Sequence, residues 1–364
     1  MYPAFAVAEA LQQGADDLPP VTLFFVGGVG AGGMEPELIA RSGIVWQRVV
    51  YIQGGPIHGV SPARLAVSAA KLAVGFIQAL GLVMRWRPER VFLTGGWASL
   101  PVALAGWLWR VPVYAFVPDI EPGLTLRVAS RFARRVAATS AESARYFRAG
   151  QVVETGYPLR RSVLGATRAA AVTHFQLDKG RRTLLVFGGS SGARSINRAL
   201  LAILPDLLAD ENLQVLHISG KLDWPEVSAA RERLAQAAQK RYHAYAYLHE
   251  DMGLALAAAD LVVSRAGAST LGEFPQFGLP AILVPYPHAW RYQKVNADYL
   301  TSRGAAIWLA DDQLAEALYP AIRRLLDDPA ALAMMGEKAR QLARPEGARA
   351  IARLLVRACE VEGR

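Results

Sequence analysis

Short runs of β-branched and apolar residues alternate with longer stretches of helical periodicity along almost the whole chain, and this alternation restricts the fold more than any other feature. Val21 to Val26, Val45 to Ile52, Val91 to Thr94 and Val113 to Phe116 read as strands in the first half. Thr183 to Phe187, Gln214 to Ile218, Leu261 to Ser264, Ala281 to Val284 and Ala305 to Leu309 follow in the second. Strands separated by helices require parallel pairing with helices on both sheet faces, the doubly wound α/β class. With 364 residues, 52% of them hydrophobic, the chain is long enough for two ordinary cores. The turn-rich stretch Thr155-Gly156-Tyr157-Pro158-Leu159 separates the halves as a hinge, because Pro158 biases Tyr157 away from helix. The expected organisation is one doubly wound domain over 1–157, a second over 158–345 and a closing helix over 346–364 that packs back on the first.

Charge narrows the partners. A net charge of +9 with a pI near 9.8 favours an anionic one: nucleic acid, a phosphorylated ligand or an acidic membrane surface. Nucleic acid is the weakest of these, since the basic residues are not interleaved with a nucleic-acid-binding motif. The single cysteine, Cys359, excludes a disulfide framework and a cysteine-cluster metal site and fits a reducing cytosol. Met1-Tyr2-Pro3-Ala4 lacks the start of a secretory signal, so the chain is expected to stay in the cytoplasm. Leu65 to Met84 is nearly long enough to span a bilayer, but Lys71 and Gln78 interrupt it, which favours a helix on a sheet or on a membrane surface. Lys71, Phe76, Leu80, Arg85 and Trp107 form an aromatic and basic set suited to an anionic interface, and the apolar members suit a core equally well.

Three segments in the second half combine strand ends, glycines and polar residues. Phe187-Gly188-Gly189-Ser190-Ser191-Gly192-Ala193-Arg194 joins a strand to a helix, where backbone amides and the helix end favour an anion, or simply make a tight turn. Arg265-Ala266-Gly267-Ala268-Ser269-Thr270-Leu271-Gly272-Glu273 repeats that logic. There Glu273 either completes a capping box with Thr270 or accepts hydrogen bonds from ribose hydroxyls. Gln293 and Asn296 share a helical face after Pro285-Tyr286-Pro287-His288 and have the donors and acceptors to read sugar hydroxyls, or form a solvated face. No Asp-x-Asp pair occurs, and Asp16-Asp17, Asp311-Asp312 and Asp327-Asp328 sit in turn-like contexts, so no metal site and no cofactor are expected.

These motifs, with Ser219-Gly220-Lys221 and Asp251-Met252 between them, together resemble the MurG family of N-acetylglucosaminyltransferases over nearly the whole chain. Met34-Glu35, Gly95-Gly96-Trp97-Ala98-Ser99-Leu100-Pro101 and Gly156-Tyr157-Pro158-Leu159-Arg160 match less tightly. The resemblance implies a GT-B fold, two Rossmann-like domains facing a cleft. It also implies inverting, metal-independent transfer from UDP-N-acetylglucosamine to an undecaprenyl-diphosphate-linked muramoyl peptide, in peptidoglycan synthesis at the inner face of the cell membrane. By similarity Glu273 holds the ribose, Ser190, Ala268, Ser269 and Thr270 surround the diphosphate, and Gln293 contacts the sugar. Ser191, Gly192, Met252 and Asn296 complete the donor set, and Arg160 resembles an arginine near the donor.

Two departures accompany the likeness. Phe116-Val117-Pro118-Asp119, followed by Glu121-Pro122-Gly123, stands where the family shows His-Glu-Gln-Asn, leaving Asp119 and Glu121 as candidates for the base. Met1 to Leu11 reads as the helix that follows a first strand, so the family's first strand and its glycine-rich loop ending in histidine are expected in an in-frame extension upstream of Met1. A transferase for another glycolipid, a nucleotide-sugar epimerase on the same fold and a donor-binding scaffold are the rival readings.

Overall fold

A computed structural model describes residues 1–14, 19–29, 35–56, 60–189, 192–287 and 292–357. The chain divides into two compact units, Met1–Arg160 with Pro345–Arg364, and Arg161–Arg344. Pro158, Leu159 and Arg160 thus go with the first unit rather than the second. The chain before them is tied there, because the Thr155 and Gly156 amides both donate to the Ala138 carbonyl and Tyr157 meets Phe116 edge-on at 6.0 Å.

The first unit has strands β1 (Phe24–Gly28), β2 (Arg48–Ile52), β3 (Val91–Leu93), β4 (Val113–Val117), β5 (Arg135–Ala138) and β6 (Val152–Glu154). They form two parallel sheets, β1-β2 and β3-β4-β5-β6. The Tyr2–Gln12 and Gly347–Arg357 helices pack against each other in this unit. β4 is buried over its whole length, as a central strand covered on both faces must be.

The Pro62–Trp86 helix packs on the Ser99–Leu108 helix and on β2. It buries Ser68, Gly75, Ala79 and Val83, and a side chain at Gly75 would collide with the Gln53 carbonyl, so glycine permits the close approach. Phe76 and Leu80 are half-buried and pack against the cluster of Ile52, Ala79, Val83, Ala98 and Ala105, which favours the core reading of these two over the membrane-facing one. The exposed apolar face consists instead of Val67, Val74, Ile77 and Met84, with Ile77 69% exposed. Lys71 and Arg85 are exposed as expected, and Trp107 is 56% exposed beside Phe132. Among the described residues this is the one helix long and apolar enough to cross a membrane.

The second unit has strands β7 (Arg182–Phe187), β8 (Leu213–Ile218), β9 (Tyr242–Tyr245), β10 (Leu261–Ser264), β11 (Ala281–Leu283) and β12 (Ala306–Trp308) in one parallel sheet of order β12-β11-β10-β7-β8-β9. Its core joins Leu184, Val186, Val215, Val263 and Ile282 to Leu200 and Leu204 of the Arg194–Leu208 helix and to Leu318 and Ile322 of the Leu314–Leu326 helix. β5, β6 and β9 are absent from the sequence reading. They are short, and Arg135-Val-Ala-Ala and Tyr242-His-Ala-Tyr lack the β-branched runs that mark the other strands.

Candidate functional site

The strand order of the second unit reverses between β7 and β10: β8 and β9 continue to one side of β7, and β11 and β12 to the other side of β10. In open parallel sheets the crevice beyond the carboxyl ends of the strands at such a switch point is where ligands bind. The paired strand ends there are Phe187 and Ser264, and the two small-residue loops singled out in the sequence begin directly after them.

In the first loop Gly192 has φ +79° and its amide donates to the Gly189 carbonyl at 2.8 Å. A Cβ on Gly192 would lie 2.8 Å from the Ser219 carbonyl oxygen, so only glycine lets the loop rest on the end of β8. The Arg194–Leu208 helix then starts from Ala193 with no side-chain cap, leaving its end suited to an anion. Ser190 and Ser191 lie outside the described residues, as do Met34 and His288.

The second loop leads into the Thr270–Phe277 helix, whose N-cap Ser269 also makes no side-chain cap. Thr270 is buried inside the first turn, and its hydroxyl donates to the Gly267 carbonyl at 2.7 Å. The Glu273 amide donates to the Ser269 carbonyl at 2.8 Å. Glu273 stands one turn into this helix and is half-buried, with Ala268 and Ser269 before it. Met252 opens the Met252–Ala258 helix, which packs against the Thr270–Phe277 helix.

Beyond β11, the side-chain oxygen of Gln293 accepts the Tyr286 amide at 2.8 Å, which leaves its NH2 group to donate elsewhere. Asn296 is 0% exposed and donates to the Ala266 carbonyl at 3.1 Å. It supports the second loop from beneath instead of sharing a sugar-reading face with Gln293.

Beneath the first loop runs a buried polar chain that the sequence reading missed. The Asn197 amide donates to the Ser219 carbonyl and to Asp223, both at 2.8 Å, so its oxygen faces His217 Nε2 at 3.0 Å. That oxygen accepts, which places the imidazole proton on Nε2 and makes Nδ1 the acceptor of the Tyr242 hydroxyl at 2.7 Å. Burial pushes the His217 pKa down to about 3, so the ring is neutral. Arg194 completes the chain, donating from Nε to Asp223 at 3.0 Å.

The first unit holds the other expected site residues. Asp119 is half-buried and Glu121 is 7% exposed in the turn after β4. That turn is fixed by the Thr139 hydroxyl, which donates to the Pro118 carbonyl at 2.8 Å, and by Ser143, which donates to Ile120 at 2.9 Å. Arg160 lies over the Tyr2 ring, 4.1 Å from its centroid.

Comparison with known proteins adds the lineage. Residues 183–351 match the family described as Glycosyltransferase family 28 C-terminal domain. The fold is similar to the crystal structure of Acinetobacter baumannii MurG, with a TM-score of 0.72 and 26% identity over 97% of this chain and 95% of that one. The UDP-GlcNAc 2-epimerase from Neisseria meningitidis, solved bound to UDP-GlcNAc, shares the fold alone, with a TM-score of 0.68 and 11% identity over 98% of this chain and 96% of that one. A curated relative from Roseiflexus sp. (strain RS-1) is named UDP-N-acetylglucosamine--N-acetylmuramyl-(pentapeptide) pyrophosphoryl-undecaprenol N-acetylglucosamine transferase. It is 38% identical over 98% of this chain and 91% of its own length. With two Rossmann-like domains of parallel sheet and relatives of this closeness, the chain belongs to the MurG family of GT-B glycosyltransferases.

Proposed function

We propose that the protein transfers N-acetylglucosamine from UDP-N-acetylglucosamine to an undecaprenyl-diphosphate-linked muramoyl peptide, converting lipid I to lipid II in peptidoglycan synthesis. The observation that carries the donor assignment is the switch point between β7 and β10, flanked by the uncapped end of the Arg194–Leu208 helix on one side and by the small-residue loop from Ala266 to Ser269 on the other. Backbone amides there take up charge as the diphosphate leaves, with the acceptor hydroxyl attacking the anomeric carbon in line and inverting it. Gly192, Ala268, Ser269 and Thr270 line the diphosphate, Glu273 accepts from the ribose hydroxyls and the Gln293 NH2 group donates to the sugar. Ser190, Ser191, Met252 and Arg160 complete the donor contacts, and Asn296 acts through the loop it supports. Asp119 and Glu121 are the candidates for the base.

The acceptor is lipid-borne, and the exposed apolar face of the Pro62–Trp86 helix with Lys71, Arg85 and Trp107 is suited to an anionic membrane surface. The protein then works in the cytoplasm, peripheral to the inner face of the cell membrane. The test is transfer of labelled N-acetylglucosamine from UDP to lipid-linked muramoyl pentapeptide, with and without EDTA. Turnover indifferent to EDTA is expected. Turnover only on another glycolipid moves the acceptor assignment, and consumption of UDP-N-acetylglucosamine with no acceptor present replaces it with epimerisation.

A further inference from the structure

Four adjacent strands of the second unit, β12, β11, β10 and β7, end at one buried charge. Arg265, the first residue after β10, is 8% exposed. Its Nη1 donates to the Val284 carbonyl, just past β11, at 3.2 Å and to the carboxylate of Asp311, which follows β12. Nη2 donates to the Ser195 hydroxyl at 2.8 Å, and that hydroxyl donates in turn to Asp311 Oδ1 at 2.7 Å. Ser195 is the second residue of the helix that follows the first glycine-rich loop. The guanidinium also sits 5.1 Å from the ring centroid of Tyr286, whose amide holds Gln293. Each loop given a donor-binding role around the switch point therefore has a neighbour in this cluster.

We infer that Asp311 is a positioning residue of the donor site: its carboxylate locks Arg265 to Ser195 and so sets the spacing between the loop after β7 and the loop after β10. The inference rests on the donor assignment above. Asp311 neutralises Arg265, so the cluster contributes geometry and no net charge, and anion binding falls to the backbone amides of the two loops. Breaking a buried pair by removing one member leaves the other charge uncompensated, which here means an arginine free to displace both loops.

The test is calorimetric titration of UDP into the full chain, its variants Asp311→Asn, Asp311→Glu and Ser195→Ala, and the double variant that combines Asp311→Asn with Ser195→Ala, with donor KM and kcat measured in parallel. Asp311→Asn keeps the shape and removes the charge. It is expected to weaken UDP binding about tenfold, and to raise donor KM by the same factor with kcat nearly unchanged. A fold defect would lower kcat through the active fraction and leave KM alone. Asp311→Glu should recover part of the affinity, and Ser195→Ala, which loses one hydroxyl, should weaken it less and add nothing on top of Asp311→Asn. Unchanged binding in Asp311→Asn overturns the inference. Tighter binding overturns it too, because Asp311 would then be restraining an arginine that contacts the diphosphate. No UDP binding by the unsubstituted protein removes the donor assignment itself, a failure distinct from the other two.

Discussion

The two units are built from the same kind of parallel strand but use their apolar residues differently. The second has one continuous six-stranded sheet, with β8, β10 and β11 buried throughout. The first carries two sheets, and β1 buries only Gly27, while its longest helix leaves a stripe of apolar side chains in water. A strand covered on both faces is held by its packing; a half-covered one relies on fewer contacts and on exposed backbone hydrogen bonds. The second unit is thus the more uniformly packed platform, and the first keeps a surface that water alone does not satisfy.

The contrast can be broken by experiment. Leu200→Ala, in the core of the second unit, should cost about 2–5 kcal/mol in denaturant unfolding. A small loss would mean that this platform is looser than its packing implies. His217 bears on the same unit through pH. Its native pKa, about 3, lies below the ordinary 6.5, so the unfolded chain takes up a proton that the native state refuses, and stability falls as pH drops from 6.5 toward 3. Urea midpoints at pH 7 and pH 5 should differ more in the wild type than in His217→Gln. Glu273→Ala should weaken UDP binding tenfold to a hundredfold, roughly the loss of hydrogen bonds to a charged acceptor. Unaltered affinity would return Glu273 to a purely helical role. Amide exchange should be faster in β1 and β2 than in β7, β8 and β10, and equal rates would erase the difference in rigidity. Least of all, Ile77→Ser should change stability by under about 0.5 kcal/mol while lowering binding to anionic vesicles.

Much of this was legible in the residue order. The apolar runs at Thr183 to Phe187, Gln214 to Ile218 and Leu261 to Ser264 mark strands because central parallel strands are apolar on both faces, and the glycines after Phe187 locate the turn that follows. What stayed hidden depends on facing and on distance along the chain. Phe76 and Leu80 turn inward because the small residues Gly75 and Ala79 set which side of their helix meets β2, a choice that hydrophobicity alone does not encode. Asn296 has the chemistry to read a sugar, yet its place under Ala266 is set by how the Tyr292–Thr301 helix docks. The cluster around Arg265 joins Ser195 to Asp311 across 116 positions, and an aspartate in a turn looks alike in sequence whether it faces solvent or a buried arginine.

The bare stripe on the Pro62–Trp86 helix has a consequence for how the protein distributes in a test tube. Val67, Val74, Ile77 and Met84 are fixed outward by a helix whose other side is locked on its unit, so no rearrangement inside the unit is required to offer them to another phase. In a detergent solution warmed past its cloud point, the folded protein should divide measurably into the surfactant-rich layer, and replacing those four side chains with serine should return it to the aqueous layer.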